Sequence, residues 1–322
     1  MQMMTSDRER EDAASRLRAG LPPPLQETFD QLWSKEALGS RVRLRATATF
    51  LTQFAAQVHA ASGAALLDLL HRVRQLLTSD WPYQAALLNG TAWLLAMSIP
   101  AQGEPDIALV RMVLAQRCSH LLESSDQAIQ RIVTFLANVL AGANAVLVHD
   151  YSSTVLAALQ HCAERGQKLR IYATACHSAR SDGKRVAREA ASYGHQSWVV
   201  DDLAAGTILA RGEVDAFLVG ADAVLAGGEL INTTGTLPLC ITARHFRIPV
   251  YCPTELMKLS IPSVYGQPLP ALPVENSQET YTLLFDITPA ECLHAYVTEI
   301  GLVPPVAFPA AARQYALVAE LL

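Results

Sequence analysis

The sequence predicts an α/β chain in two parts, a helical N-terminal domain followed by a parallel sheet covered by helices. Three observations predict it. Residues 7–140 place apolar positions at three- and four-residue steps with no strand pattern among them. From Ala143 the period shortens, and β-rich runs of four to five residues alternate with helical segments. Turn residues punctuate the ends of those runs, as at Gly220 and Pro253. Strand and helix in alternation describe a Rossmann-like sheet, with right-handed crossovers and ligands at the carboxyl ends of the strands. The expected domains are 1–142 and 143–322, with a short boundary near Gly142.

In the helical half, breaks are expected at Pro22-Pro23-Pro24, Gly39, Ser62-Gly63, Asp80-Trp81-Pro82 and from Pro100 to Pro105. The stripe in Leu66 to Leu77 faces a bundle core and leaves His71 at its edge as a structural residue. Arg41, Arg43 and Arg45 form the densest basic patch, read as a solvated helix face. In the second half the expected strands are Ala145 to Val148, Leu169 to Tyr172, Ser197 to Val200, Ala216 to Val219, Pro249 to Tyr251 and Thr282 to Phe285.

A chain of 322 residues, 51% hydrophobic and 17% charged, buries a sizeable core. Its formal charge of −5 leaves no footprint for direct nucleic-acid binding. The six cysteines show no CxxC and no zinc-type Cys/His pair, so no metal is expected and they read as reduced core residues. The first ten residues lack an apolar leader, and no stretch reaches the roughly 18 unbroken apolar residues of a membrane span. The expectation is a cytoplasmic protein without a membrane partner and without a cofactor.

The most informative stretch is Val219 to Thr236. A buried strand ends at Gly220, Asp222 stands at its tip, Gly227-Gly228 permits a turn, and Asn232-Thr233-Thr234-Gly235-Thr236 opens a helix over Leu237 to Phe246. Amides at that helix start can hold a small anion beside a carboxylate. Gly-Ala-Asp, Ala-x-Gly-Gly and Ile-Asn-x-x-Gly-Thr in this order resemble one family. It comprises the α, β and δ subunits of eukaryotic initiation factor 2B and the isomerases of methylthioribose 1-phosphate and ribose 1,5-bisphosphate. His149-Asp150-Tyr151-Ser152, the loop from Thr174 to Gly183, Pro253 to Ser260, Phe285 to Pro289 and Glu299 to Pro305 resemble further motifs of that family. The resemblance runs from about residue 125 to the end.

The resemblance implies a helical domain before a Rossmann-like one, association through the C-terminal domain as a homodimer, and a cleft for a small phosphorylated ligand. Its isomerases pair a cysteine on the turn after the first strand with the aspartate of Gly-Ala-Asp. Here the aspartate is Asp222 and the cysteine position holds Asp150. A carboxyl group with a reference pKa of about 3.9 replaces a thiol at about 8.5, so the two differ in protonation near neutrality. An Asp150/Asp222 pair can restore a shared proton; alternatively, Asp150 caps the helix over Ser152 to Arg165. The isomerases' phosphate-binding Arg and Lys are matched by Ser178 and Thr233, which removes two fixed charges. Asn232, Thr233, Gly235, Thr236, Lys258 and His149 are the substrate-side candidates. Lys258 faces the pocket or pairs with Glu255 or Asp286, and His149 makes a structural hydrogen bond. Cys176 and His177, adjacent on an extended segment, point apart and do not form a nucleophile and base.

Two functions follow. The first is an initiation factor 2B-like binding or regulatory subunit without catalysis, whose cleft holds a sugar phosphate or nucleotide. The alternative is an aldose–ketose isomerase of a sugar phosphate derivative with Asp222 as acid/base, an intramolecular oxidoreductase. A plain assembly module comes third.

Overall fold

The computed structural model describes residues 7–34, 39–96, 106–177, 182–270, 274–276 and 281–322. The chain separates into two compact units, the first running to Ser124 and the second covering Ser125–Glu320. That division falls inside the sixth helix. The change from helix to strand comes later, between Val139 and Ala145.

The first unit contains α1 (Asp7–Ala19), α2 (Pro23–Trp33), α3 (Ser40–Gln57), α4 (Gly63–Thr78), α5 (Ala85–Leu95) and the start of α6 (Ile107–Val139). Helix α2 opens on its prolines, where a missing N–H costs no helical bond. Helix α4 begins at Ser62, whose hydroxyl accepts from Ala65 N at 3.2 Å. Leu66, Leu70, Val73 and Leu77 of α4 are buried along one stripe, and His71 is exposed. Phe29 and Phe54 flank Phe50, each pair of ring centroids 6.0 Å apart. The expected break from Pro100 to Pro105 lies outside the described residues. The basic patch departs from a solvated face at Arg43, which is fully buried. Its guanidinium lies 3.7 Å from the Trp81 ring centroid and donates to Leu32 O at 2.9 Å, so the charge is absorbed by stacking and a carbonyl.

The second unit continues with β1 (Ala145–His149), α7 (Ser153–Glu164), β2 (Arg170–Thr174), α8 (Gly183–Ser192), β3 (Gln196–Val200), α9 (Asp202–Ala210) and β4 (Ala216–Val219). Next come β5 (Ala223–Val224), β6 (Leu230–Thr233), α10 (Thr236–His245), β7 (Val250–Pro253), α11 (Ile261–Val264), β8 (Val274–Asn276), β9 (Tyr281–Leu283) and β10 (Phe285–Thr288). The unit closes with β11 (Ala295–Thr298), β12 (Gly301–Val303), α12 (Phe308–Arg313) and α13 (Ala316–Ala319). A seven-stranded sheet runs in the order β12-β11-β7-β4-β1-β2-β3. Its neighbours are parallel except for β12, which is antiparallel to β11.

Period-2 alternation splits the strand side chains between two cores. Leu147, Phe217 and Val219 pack with Leu209, Leu239 and Cys240 from α9 and α10. Val146, Val148 and Leu218 pack with Leu156 and Leu159 of α7, Val186 of α8 and Ile132 and Leu136 of α6. The sheet is thus covered by helices on both faces, as the alternating pattern predicts. The segment Thr282 to Phe285 departs from expectation. It divides at Leu284 between β9, paired with β8, and β10, which joins β6 and β5 in a three-stranded antiparallel sheet. The strand beside β7 in the main sheet is β11 instead. Among the described residues no helix is long and apolar enough to cross a membrane. The six cysteines are buried and form no disulfide.

Candidate functional site

Counted from β1, the main sheet extends through β2 and β3 on one side and through β4, β7 and β11 on the other. The chain reverses between β1 and β4, and a crevice opens outside the carboxyl ends at such a switch point. His149 stands opposite Val219 in the parallel register, so Asp150 and Gly220 leave the sheet side by side. Asp222 follows two residues beyond Gly220. It is partly buried, and its amide donates to Ile231 O at 3.0 Å.

Asp150 adopts φ 65°, a left-handed conformation that aspartate tolerates better than most residues. It does not cap the next helix. That role falls to Ser152, whose hydroxyl accepts from Val155 N at 3.3 Å. The Asp150 carboxylate instead accepts from Thr233 Oγ1 at 2.6 Å on one oxygen and faces Cys176 Sγ at 3.9 Å on the other. The partners of the Asp150 carboxylate are thus Thr233 and Cys176 rather than the amides of the following helix.

Cys176, on the turn after β2, also has a positive φ, 57°. The Asp202 carboxylate holds that turn, accepting from Cys176 N at 2.7 Å and His177 N at 2.8 Å. The thiol is fully buried, while His177 is exposed with its Nδ1 3.4 Å from Asp202. The two side chains part, but through the left-handed turn at Cys176 rather than the extended backbone expected there. Cys176 nevertheless joins the site through Asp150. Sequence reasoning weighed it only against His177, although its place just beyond a strand tip was a usable signal.

The remaining candidates knit the framework. His149, 1% exposed, spends both ring nitrogens, Nδ1 on Thr174 Oγ1 at 2.7 Å and Nε2 on Thr234 O at 3.2 Å. Gly235 lies against that ring at φ 107°, and a Cβ there would fall 2.7 Å from His149 Cε1. Asn232 is buried. With its oxygen toward Thr236 Oγ1 and Thr233 N and its nitrogen toward Gly220 O, the whole amide is satisfied. Thr236 Oγ1 donates to Thr233 O at 2.7 Å. Lys258, 9% exposed, pairs with neither Glu255 nor Asp286; its Nζ donates to Ala221 O at 2.6 Å, beside Asp222.

The start of α10 holds an anion, and the anion is the protein's own. Asp286 of β10 accepts from Gly235 N at 2.9 Å and Leu237 N at 3.0 Å, so the amides expected to receive a ligand are occupied. Burial pushes the Asp286 carboxyl above the usual carboxylate range, and the two amides oppose that rise. Ser178 lies outside the described residues. Among the described residues no group of three His, Cys, Asp or Glu side chains is placed to hold a metal ion.

One cation near these strand tips was not foreseen. Arg185, in the first turn of α8, places its guanidinium carbon 3.6 Å from the ring centroid of Tyr151, the neighbour of Asp150.

The sequence model of the initiation factor 2 subunit family matches residues 36–305. Ribose 1,5-bisphosphate isomerase of Methanocaldococcus jannaschii is 24% identical over 87% of this chain and 92% of its own. Methylthioribose-1-phosphate isomerase of Pelotomaculum thermopropionicum is 27% identical over 52% of this chain and 50% of its own. Translation initiation factor eIF-2B from Pyrococcus horikoshii OT3 superposes with a TM-score of 0.74 at 21% identity, covering 88% of this chain and 98% of that one. The tetrameric eIF2B-beta2-delta2 complex from C. thermophilum gives a TM-score of 0.68 at 17% identity, covering 93% of this chain and 97% of that one. These superpositions show a shared fold.

Proposed function

The chain belongs to the initiation factor 2 subunit family, and on that footing we propose that it is an aldose–ketose isomerase acting on a phosphorylated sugar, with Asp222 as acid/base. The observation that carries this reading is the match, over 87% of this chain and 92% of the relative, to a protein named ribose 1,5-bisphosphate isomerase. The geometry supports it, because the reaction needs two proton-handling groups at adjacent strand tips and Asp150 and Asp222 stand at the tips of β1 and β4. In the reaction a proton reaches the ring oxygen as the C1–O bond breaks, hydride moves from C2 to C1, and the C2 hydroxyl loses its proton. One proton enters and one leaves, so the product is an isomer and no redox cofactor is consumed. Asp222 takes the C2 hydroxyl proton and Asp150 serves the ring oxygen, while Thr233 orients the Asp150 carboxylate and Lys258, bound to Ala221 O, braces the turn before Asp222. A cytoplasmic homodimer joined through the second unit accompanies this reading.

A second reading, a non-catalytic binding or regulatory subunit, is favoured by the occupied α10 amides and by Thr233 standing where the isomerases resembled carry a lysine. One assay separates the two. Wild-type protein and Asp222→Asn are incubated with ribose 1,5-bisphosphate, methylthioribose 1-phosphate and 5-deoxyribose 1-phosphate, with product analysis and thermal shift on the same samples. Isomerase function predicts a ketose product and a loss of about 10²- to 10⁴-fold in turnover for Asp222→Asn. A thermal shift without product from the wild type sinks the isomerase reading in favour of the subunit.

A further inference from the structure

We infer that Cys176 is a positioning residue for the proton step at Asp150, its thiol fixing the plane of that carboxylate from the tip of the neighbouring strand; this rests on the isomerase reading above. Strands β1 and β2 are adjacent and parallel, with Val148 opposite Ala173. One residue further on, His149 Nδ1 and Thr174 Oγ1 lie 2.7 Å apart, so the two tips are tied together before either chain turns. Both chains then pass through a left-handed residue, Asp150 at φ 65° and Cys176 at φ 57°. Glycine or asparagine adopts that backbone with less strain, and a thiol gains nothing from it locally. The strain at Cys176 is held from outside. Asp202, at the start of α9, accepts from Cys176 N at 2.7 Å and His177 N at 2.8 Å. The turn held in this way directs Sγ inward, fully buried and 3.9 Å from Asp150 Oδ1.

Each Asp150 oxygen therefore meets one buried side chain from a different strand tip. Thr233 Oγ1 of β6 donates to Oδ2 at 2.6 Å, and the thiol faces Oδ1. A single donor leaves a carboxylate free to swing about its Cβ–Cγ bond, whereas two fix its plane and aim its remaining lone pairs. Thr233 supplies the stronger bond; an S–H···O contact is weak by itself and serves as the second anchor. Asp150 is partly exposed, so the sugar meets the carboxylate while the thiol stays behind it. Cys176 acts through Asp150, and no bond to sulfur forms or breaks.

The test measures kcat and KM on ribose 1,5-bisphosphate and methylthioribose 1-phosphate for wild type, Cys176→Ala and Cys176→Ser, with the infrared S–H stretching band of the same samples. Cys176→Ala should lose about 10-fold in kcat and keep KM within about twofold, because the sugar still binds while the acid is misoriented. Cys176→Ser, whose oxygen sits closer to its own backbone, should fall between. Subtracting the Cys176→Ser spectrum from wild type isolates the Cys176 band, displaced from that of a free thiol by the carboxylate. The same subtraction in an Asp150→Gly background, which suits the left-handed backbone and removes the acceptor, should return the band to the free-thiol position. A band indifferent to Asp150 overturns the assignment. So does a loss confined to KM, or a kcat indifferent to Cys176. If the alanine variant does not fold, the serine variant and the band decide. Wild type that converts neither sugar sinks the isomerase reading, and the band still judges whether Cys176 fixes the carboxylate.

Discussion

Thr233 shows how one hydroxyl orients a carboxylate. Its Oγ1 donates to Asp150 at 2.6 Å, and it is 3% exposed. Replacing it with valine keeps the shape and removes the donor, leaving one oxygen of a partly buried carboxylate unmet. Thr233→Val should therefore cost about 1–3 kcal/mol in urea unfolding, and Thr233→Ser should recover most of it. A valine variant as stable as wild type would mean that the contact does not hold. The position was legible as part of a ligand-binding string, but its partner was not. Asp150 lies 83 residues away, and the left-handed backbone that turns its carboxylate toward Thr233 leaves no trace in residue order. Cys176 was hidden for the same reason, because its relevant neighbour lies on another strand.

Helix α10 illustrates the same point for an element. Its starting segment Asn-Thr-Thr-Gly-Thr reads as an anion site, and an anion is there, supplied by Asp286 from β10. Asp286→Ala orphans the Gly235 and Leu237 amides and should cost about 2 kcal/mol or more. Asp286→Asn, whose carbonyl oxygen can accept from both, should cost less than about 1 kcal/mol. Hydrogen exchange across Gly235–Cys240 reads both, and equal protection in the alanine variant would contradict the capping role. The long elements were legible because three to nine turns of periodic burial leave an unambiguous stripe. The small sheet was not: β5 has two residues and β6 four, too few to display a period, and Ile231-Asn232 reads equally well as a turn. Strand β11, Ala295–Thr298, carries Tyr296, Val297 and Thr298 but has only four residues beside the Gly301 turn, too few to set it apart from the equally short run Thr282 to Phe285.

Across the second unit, acidic residues follow nearly every parallel strand: Asp150 after β1, Asp202 after β3, Asp222 after β4, Glu255 after β7 and Glu299 after β11. The last two are 4% and 5% exposed, so the carboxyl edge carries acidic side chains in the interior as well as at its partly exposed tips. Ser125 Oγ donates to Glu255 at 2.8 Å, and Leu256 N lies 3.1 and 3.2 Å from the two Glu299 oxygens. Burial pushes Glu299 from its ordinary 4.5 to about 7, Glu255 adds to the rise, and Leu256 N and Arg131 oppose it. Burial also pushes up Tyr315, helped by the same two carboxylates. An acid whose folded pKa exceeds its unfolded one holds its proton more tightly when folded. Its favourable contribution is complete below 4.5, falls as pH rises toward about 7, and is gone above that. The full swing is about 3 kcal/mol. Glu299→Gln keeps an oxygen for Leu256 N and cannot ionise, so it should match wild type in urea unfolding at pH 4.5. At pH 8 it should exceed wild type by up to about 3 kcal/mol. A difference between the two proteins that does not change with pH would show that the Glu299 pKa is the same folded and unfolded, with Arg131 and the Leu256 amide offsetting its burial.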